Sequence, residues 1–152
     1  MNNKANIFIN TIQNENCFTE LFTNFLKYDD FRYFFLKLLI NVNEISVEYE
    51  DFTTQINLGQ FGQPDIILST PEIEFLFEVK VFPSTKLTKN QPLGYLNYLN
   101  SEVRRDKYKR LIFILPNSYA EIAYLKAHNV DIVSWEMIIN MLEKLPNINS
   151  NF

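Results

Sequence analysis

The sequence predicts an α/β domain: a mixed central β-sheet, built as an antiparallel meander extended by helical crossovers and flanked by helices. Three observations predict it. Two runs with apolar residues at helical spacing open the chain, three consecutive β-type runs follow between positions 45 and 82, and the later strands alternate with helices. Later strands that arrive by way of a helix join a sheet in parallel, whereas consecutive strands pair antiparallel, so the sheet should be mixed. At 152 residues the chain is long enough for one domain with one core. The domain is placed over residues 1–146, with 147–152 as a tail.

Taken in order, residues 1–13 are polar apart from Ile7, Phe8, Ile9 and Ile12, and little is readable there. Asn14 is a candidate N-cap, and Phe18, Leu21, Phe22, Phe25 and Leu26 follow at the spacing of an amphipathic helix. Asp29 or Asp30 caps a second helix, with Phe31, Phe34, Phe35, Leu38 and Leu39 inward. Ile45, Val47 and Tyr49 alternate with polar residues, a half-buried strand expected to continue through Phe52 to position 58. After the loop at 59–63, residues 65–69 and 74–82 read as a hairpin joined by the turn chemistry of Thr70 and Pro71. A helix should begin near 88–90 with Pro92 in its first turn, where a missing N–H is tolerated. Residues 111–115 read as a strand buried on both faces. Ser118 and Glu121 have the spacing of a capping box for a helix over 119–127. Residues 131–133 are the last strand, and Ser134 caps a terminal helix with Ile138, Met141, Leu142 and Leu145 inward, stopped at Pro146.

Composition narrows the chemistry. Hydrophobic residues make up 47% and aromatics 15%, so the interior should be rich in rings. One Cys, Cys17, excludes an internal disulfide, and one Cys with one His, His128, excludes a zinc site of Cys and His ligands. Cys17 reads as packing and His128 as a helix C-cap or surface residue. Any metal here must be held by carboxylates. A net charge of -4 gives no general attraction to a polyanion, although phosphate contact can be local. No run reaches the roughly 18 apolar residues that span a bilayer, and the first residues contain no signal-peptide core. The expectation is a cytoplasmic protein with no membrane association.

The stretch from Gly62 to Lys80 carries the chemistry. Alternate side chains of a strand share a face, so Phe77, Val79 and Val81 point one way and Leu76, Glu78 and Lys80 the other. Asp65, at the start of the neighbouring strand, can come alongside Glu78 and Lys80. Two acids and a lysine on one sheet face can hold a divalent cation through oxygen ligands and leave the lysine to orient or activate a water. The bland alternative is a solvated Glu78–Lys80 ion pair on a surface hairpin. Against it, the apolar run Phe75, Leu76, Phe77 leads directly into the charges and places them deep in the sheet.

Pro64-Asp65 followed by Glu78-Val79-Lys80 resembles the signature of the PD-(D/E)XK nuclease superfamily, the restriction-endonuclease-like fold. The element order is similar to that fold over most of the chain. Gln91-x-x-x-Tyr95, which follows Lys80, resembles the motif of the RecB-like branch. Read alone, Gln91 and Tyr95 are an amide and a half-buried Tyr one helical turn apart. The resemblance implies a Mg²⁺-dependent nuclease, with Mn²⁺ as a possible substitute. Asp65 and Glu78 would be metal ligands, joined by the Val79 carbonyl, with Lys80 acting in the chemical step and Gln91 and Tyr95 contacting the scissile region rather than serving folding. It also implies DNA as substrate, in defence against foreign DNA, and a further Glu on the first helix. Glu15 and Glu20 both qualify by type, but five residues turn them about 140° apart, so only one faces inward. Glu15 lies within roughly 50° of the centre of the Phe18–Leu26 stripe and is the expected one.

Arg104, Arg105, Lys107, Lys109 and Arg110 crowd five cations into seven residues, either a solvated helix end or a phosphate-contacting patch. Two functions follow: a nuclease, or a domain of the same fold that binds nucleic acid or a protein partner without cutting. Either reading leaves room for a homodimer or a partner protein to supply target recognition.

Overall fold

The computed structural model describes residues 14–42, 46–101 and 105–145. It opens with α1 (Glu15–Phe25) and α2 (Asp29–Phe34), the latter running on as a π-helix over Phe35–Leu39. Then come β1 (Phe52–Thr54), β2 (Ile66–Ser69), β3 (Ile73–Val79), α3 (Leu93–Leu99), β4 (Tyr108–Leu115), α4 (Ile122–Ala127), β5 (Asp131–Ser134) and α5 (Trp135–Lys144). The five strands form one sheet in chain order. β1, β2 and β3 pair antiparallel, with Phe52 opposite Leu68 and Ile66 opposite Phe77. β4 and β5 join in parallel, Val79 opposite Ile114 and Leu115 opposite Ser134. The predicted α/β class and mixed sheet are therefore observed.

Helices cover both faces, so β3, the middle strand, is buried at every position. Its alternation feeds two separate cores. Phe75, Phe77 and Val79 pack with Phe22, Phe31, Phe35, Ile138 and Met141, whereas Leu76 packs with Tyr95, Tyr98, Leu99 and Leu125. The first core joins α1, α2 and α5 to the sheet and the second joins α3 and α4. Among the described residues no helix is long and apolar enough to cross a membrane.

Local chemistry explains most boundaries. The Asn14 side chain accepts from the Cys17 N–H at 2.9 Å and starts α1 as expected. Thr19 and Thr23 are buried on the inward face, and their hydroxyls donate to the carbonyls of Glu15 and Thr19 four residues back. Ser134 accepts from the Met137 N–H at 3.1 Å and caps α5, and His128 is the C-cap of α4. Ile138, Met141 and Leu145 are buried on α5 and Leu142 partly so.

Several expectations are corrected. α2 is preceded by Tyr28, which makes no side-chain cap; Asp29 lies in the first turn and pairs with Arg32 at 2.8 Å. The π-helical turn widens the repeat by one residue, so Leu36 is buried and Leu38, expected inward, is 60% exposed. The strand foreseen over 45–58 shrinks to Phe52–Thr54, because Tyr49–Asp51 form a 3₁₀ turn in which Asp51 accepts from the Glu48 N–H. Buried Arg32 holds the same stretch by donating to the Val47 carbonyl. Ser118 and Glu121 form no capping box: α4 starts at Ile122, and the Glu121 carboxylate accepts instead from Leu87 N–H and Tyr119 O–H. α3 starts at Leu93, after the cis Gln91-Pro92 peptide, so Pro92 precedes the helix rather than lying in its first turn. The hairpin strand stops at Val79, short of position 82, and β4 begins three residues before the predicted run. Ile45, Arg104, residues 1–13, Pro146 and the tail at 147–152 lie outside the described residues.

Candidate metal centre

The β2–β3 hairpin brings the first pair of acids together. Asp65 immediately precedes β2, its carbonyl accepts from Gln55 N–H at 2.9 Å, and its Oδ2 accepts from the Val79 N–H at 2.7 Å. The carboxylate is thus fixed across the hairpin, beside Glu78. Glu78 is 5% exposed and faces α3, since Phe77 and Val79 on either side are taken by the other core. Lys80 follows directly, and its ammonium donates to Glu78 Oε1 at 2.9 Å. Lys80 is itself 3% exposed, so this is a buried pair and not the solvated surface pair of the bland alternative.

α3 and the turn before it roof the carboxylate. Gln91 Nε2 donates to Glu78 Oε1 at 2.5 Å and Tyr95 O–H donates to Oε2 at 3.1 Å. Gln91 and Tyr95 are 3.4 Å apart at their polar atoms, close as their spacing predicts although Gln91 lies outside the helix. The Gln91 side-chain oxygen also accepts from Thr88 N–H at 3.1 Å, and the residue is buried. Gln91 thus has structural partners as well: without it the Thr88 N–H would lose its acceptor and Glu78 Oε1 one of its two donors. Tyr95 is held by a close backbone junction. A Cβ on Gly94 would stand 2.6 Å from the Phe61 carbonyl oxygen, and one on Gly62, at φ +108°, 2.9 Å from the Tyr95 ring. The loop that leads to Asp65 thereby seats directly on α3.

α1 supplies a third acid. Glu15 Oε2 is 3.8 Å from Lys80 Nζ and its Oε1 accepts from the Val81 N–H at 3.4 Å. Glu20 is exposed. Of the two candidate acids on this helix, the structure brings Glu15 to Lys80, as the stripe predicts.

The charges do not balance: three carboxylates share one ammonium. Burial raises the Glu78 pKa to about 7, with the Asp65 charge adding to the rise and Lys80 opposing it. Burial likewise raises Asp65 to about 6, against the Val79 hydrogen bond and Lys80, with Glu15 adding to the rise. Burial alone would lower Lys80, but Glu78, Glu15 and Asp65 outweigh it and hold the ammonium above its ordinary value. Burial and the Glu78 charge push the Tyr95 phenol up, so it stays a donor.

This donor set fits a hard divalent cation such as Mg²⁺ or Mn²⁺ in ligand type and in charge: carboxylate oxygens, no thiolate or imidazole, and an excess of negative charge to neutralise. Among the described residues no group of three or more His, Cys, Asp or Glu side chains is placed so that it could hold a metal ion. Both Glu78 oxygens accept protein donors instead. Val79, expected through its carbonyl, touches the cluster through its N–H on Asp65.

Three groups around the site escaped the sequence reading. Glu74 lies on the same β3 face as Glu78, and its carboxylate accepts from Ser69, Tyr98 and Lys107. Alternation along β3 was signal enough to place it there. Trp135 donates its indole N–H to the Lys80 carbonyl at 2.9 Å. Tyr119 and Glu121 tie down the segment after Lys80 by contacts to the Thr85 carbonyl and Leu87 N–H. Of the cation cluster's described residues, Lys109 and Arg110 lie in β4, and Arg105 and Lys107 just before it. Lys107 pairs with Glu74 and Arg110 with Asp131, while Arg105 is exposed. No family model matches this chain, and neither does any curated protein or solved structure.

Proposed function

We propose that the protein is a divalent-metal-dependent nuclease of the PD-(D/E)XK type, with a restriction-endonuclease-like fold, that hydrolyses phosphodiester bonds in DNA. The observation that carries this reading is the gathering of Asp65, Glu78 and Glu15 on the single ammonium of Lys80, beneath Gln91 and Tyr95. Nothing in the packing of the sheet calls for an uncompensated pair of buried charges, and such excess is characteristic of functional sites.

Asp65 and Glu78 would hold the cation, with Glu15 as the third acid. When bound, a divalent cation supplies Lewis acidity and lowers the pKa of a coordinated water toward neutrality. Lys80, held protonated by its three acids, is a donor and not a general base. One of its three N–H groups is used by Glu78, so the others orient a water or a phosphate oxygen. Gln91 and Tyr95 fix both oxygens of Glu78 and so set the direction in which that carboxylate presents its remaining lone pair, on Oε2. Defence against foreign DNA is the setting this activity would serve.

Incubation of the purified protein with plasmid and with single-stranded DNA, each with Mg²⁺, Mn²⁺ or EDTA, is the direct test. Cleavage with either metal and none with EDTA is expected. One observation favours a second reading, a domain of this fold that binds nucleic acid without cutting: both oxygens of the Glu78 carboxylate already accept from donors of the protein itself. DNA retained in a gel-shift assay but intact with both metals would select that reading.

A further inference from the structure

The end of β3 poses a problem that the chain solves with its one tryptophan. In the parallel β3–β4 ladder the Lys80 N–H donates to the Ile114 carbonyl at 2.8 Å. With Val79 opposite Ile114, the next ladder bond would run from the N–H of residue 116 to the Lys80 carbonyl. Residue 116 is Pro116, which has no N–H. The Lys80 carbonyl is therefore left without its sheet donor at the point where the lysine enters the acid cluster. The indole N–H of Trp135, the first residue of α5, fills that place at 2.9 Å.

The same peptide is held from its other side. The Val81 N–H, the far end of the Lys80–Val81 peptide group, donates to Glu15 Oε1. The Trp135 ring in turn packs on Phe18 at 4.8 Å between centroids and on Phe22 at 6.3 Å, both on the helix that carries Glu15. One side chain thus touches the carbonyl of Lys80 and braces the helix whose acid takes the N–H of the same peptide.

We propose that Trp135 is a positioning residue for the acid–lysine cluster, clamping the Lys80–Val81 peptide so that Lys80 and Glu15 are presented together to the cation and substrate. This rests on the nuclease reading for its functional consequence and on the hydrogen-bond pattern alone for the clamp. Outer partners that orient ligands typically alter metal affinity by 10- to 100-fold.

The test is Trp135→Phe, which keeps an aromatic ring against Phe18 and Phe22 while removing the N–H donor and part of the indole. Three quantities are read in the full chain: hydrogen exchange of the Val81 amide, Mg²⁺ affinity by calorimetry, and plasmid cleavage resolved into kcat and KM. The expected result is a cooperatively folded variant whose Val81 amide exchanges about tenfold faster. Its Mg²⁺ affinity falls by roughly tenfold, and kcat falls with little change in KM. Trp135→Leu, which loses ring and donor alike, should show a larger loss on all three. Unchanged Val81 exchange, or unchanged Mg²⁺ affinity, in a folded Trp135→Phe variant overturns the inference while leaving the nuclease reading intact. Wild-type protein that takes up no Mg²⁺ overturns the nuclease reading instead, and the clamp then stands or falls on the Val81 exchange rate alone.

Discussion

Glu78 and Glu74 lie four residues apart on one face of β3, and each is buried beneath a tyrosine of α3, yet their electrostatics run in opposite directions. Glu74 accepts from Ser69 O–H at 2.6 Å, Lys107 ammonium at 2.9 Å and Tyr98 O–H at 3.1 Å. Burial works to raise its pKa, but the Ser69, Lys107 and Tyr98 donors prevail and hold it below the ordinary value. Glu78 is as well supplied with donors, by Lys80, Gln91 and Tyr95, and still its pKa is raised to about 7. Burial is the first cause of the rise at Glu78 and weighs more there than at Glu74, and the charge count adds to it. Lys107 pairs with one buried acid, whereas Lys80 is shared by Glu78, Asp65 and Glu15. A buried acid with a full set of hydrogen bonds is ordinary architecture; the excess of acids around one ammonium is what the proposed metal site rests on.

The strongest way to break this contrast is to remove one acid or the lysine from the crowded end. Asp65→Ala should lose Mg²⁺ binding in calorimetry and at least about 10²-fold in plasmid cleavage, the scale on which electrostatic catalytic groups act. Lys80→Ala should lose cleavage to a similar degree and keep the metal. Equal Mg²⁺ affinity in wild type and Asp65→Ala would remove Asp65 from the ligand set.

The balanced end should respond in stability rather than activity. Glu74→Ala removes an acceptor from the Lys107 ammonium and from the Ser69 and Tyr98 hydroxyls, and should destabilise the fold by about 2–3 kcal/mol, below the usual loss for a broken buried pair because Lys107 is partly solvated and keeps its bond to Ser69. Cleavage per folded molecule should be unchanged. A Glu74→Ala variant with a wild-type urea midpoint and no cleavage would show that chemistry resides at this end as well.

Protonation sharpens the comparison because the two ends have opposite signs. Asp65 and Glu78 have folded pKa values of about 6 and about 7, above their unfolded values, so the folded state binds protons more tightly than the unfolded one. Their contribution is most favourable below pH ~4 and is lost as pH rises from there to ~7. Glu74 is lowered, so its stabilisation is present above its unfolded pKa and lost as pH falls through the folded one. Urea titrations from pH 4 to pH 8 should therefore show Glu78→Gln gaining on the order of 1 kcal/mol over wild type at pH 8 and little at pH 4. Mg²⁺ should raise the wild-type midpoint more at pH 8 than at pH 5. A Glu78→Gln variant less stable than wild type at pH 8 would mean the acid is structural, like Glu74.

The finest distinction lies on α1. Glu15→Gln keeps the helix start and the contact to Val81 but removes the third negative charge, and should reduce cleavage roughly tenfold. Glu20→Gln should be indistinguishable from wild type in both cleavage and urea midpoint, as for surface changes within about 0.5 kcal/mol. Loss of cleavage in Glu20→Gln alone would place the third acid on the other side of the helix.

The sequence by itself determined the features whose causes are local. Asn14 and Ser134 announce their helices because a cap bonds to an N–H only a few residues away. The split of β3 into an apolar face and a face bearing Leu76, Glu78 and Lys80 follows from a period of two, and the inward turn of Glu15 from a period of 3.6. The same locality explains the failures. The short first strand and the missing capping box at Glu121 both involve partners in other elements, Arg32 reaching Val47 and Leu87 reaching Glu121, and the structure gives no cause for the π-turn that exposes Leu38. What separates Glu74 from Glu78 is likewise absent from the local pattern, since the cation of one comes from position 107 and the extra acids of the other from positions 15 and 65. So too with Trp135, which meets Lys80 from 55 residues away because Pro116 leaves a carbonyl unbonded at the end of a strand. Propensity and periodicity set which face a side chain takes. Only the folded chain sets how many charges meet there and which donors are left to bond them, because both depend on groups that tertiary contacts alone bring within a few ångströms.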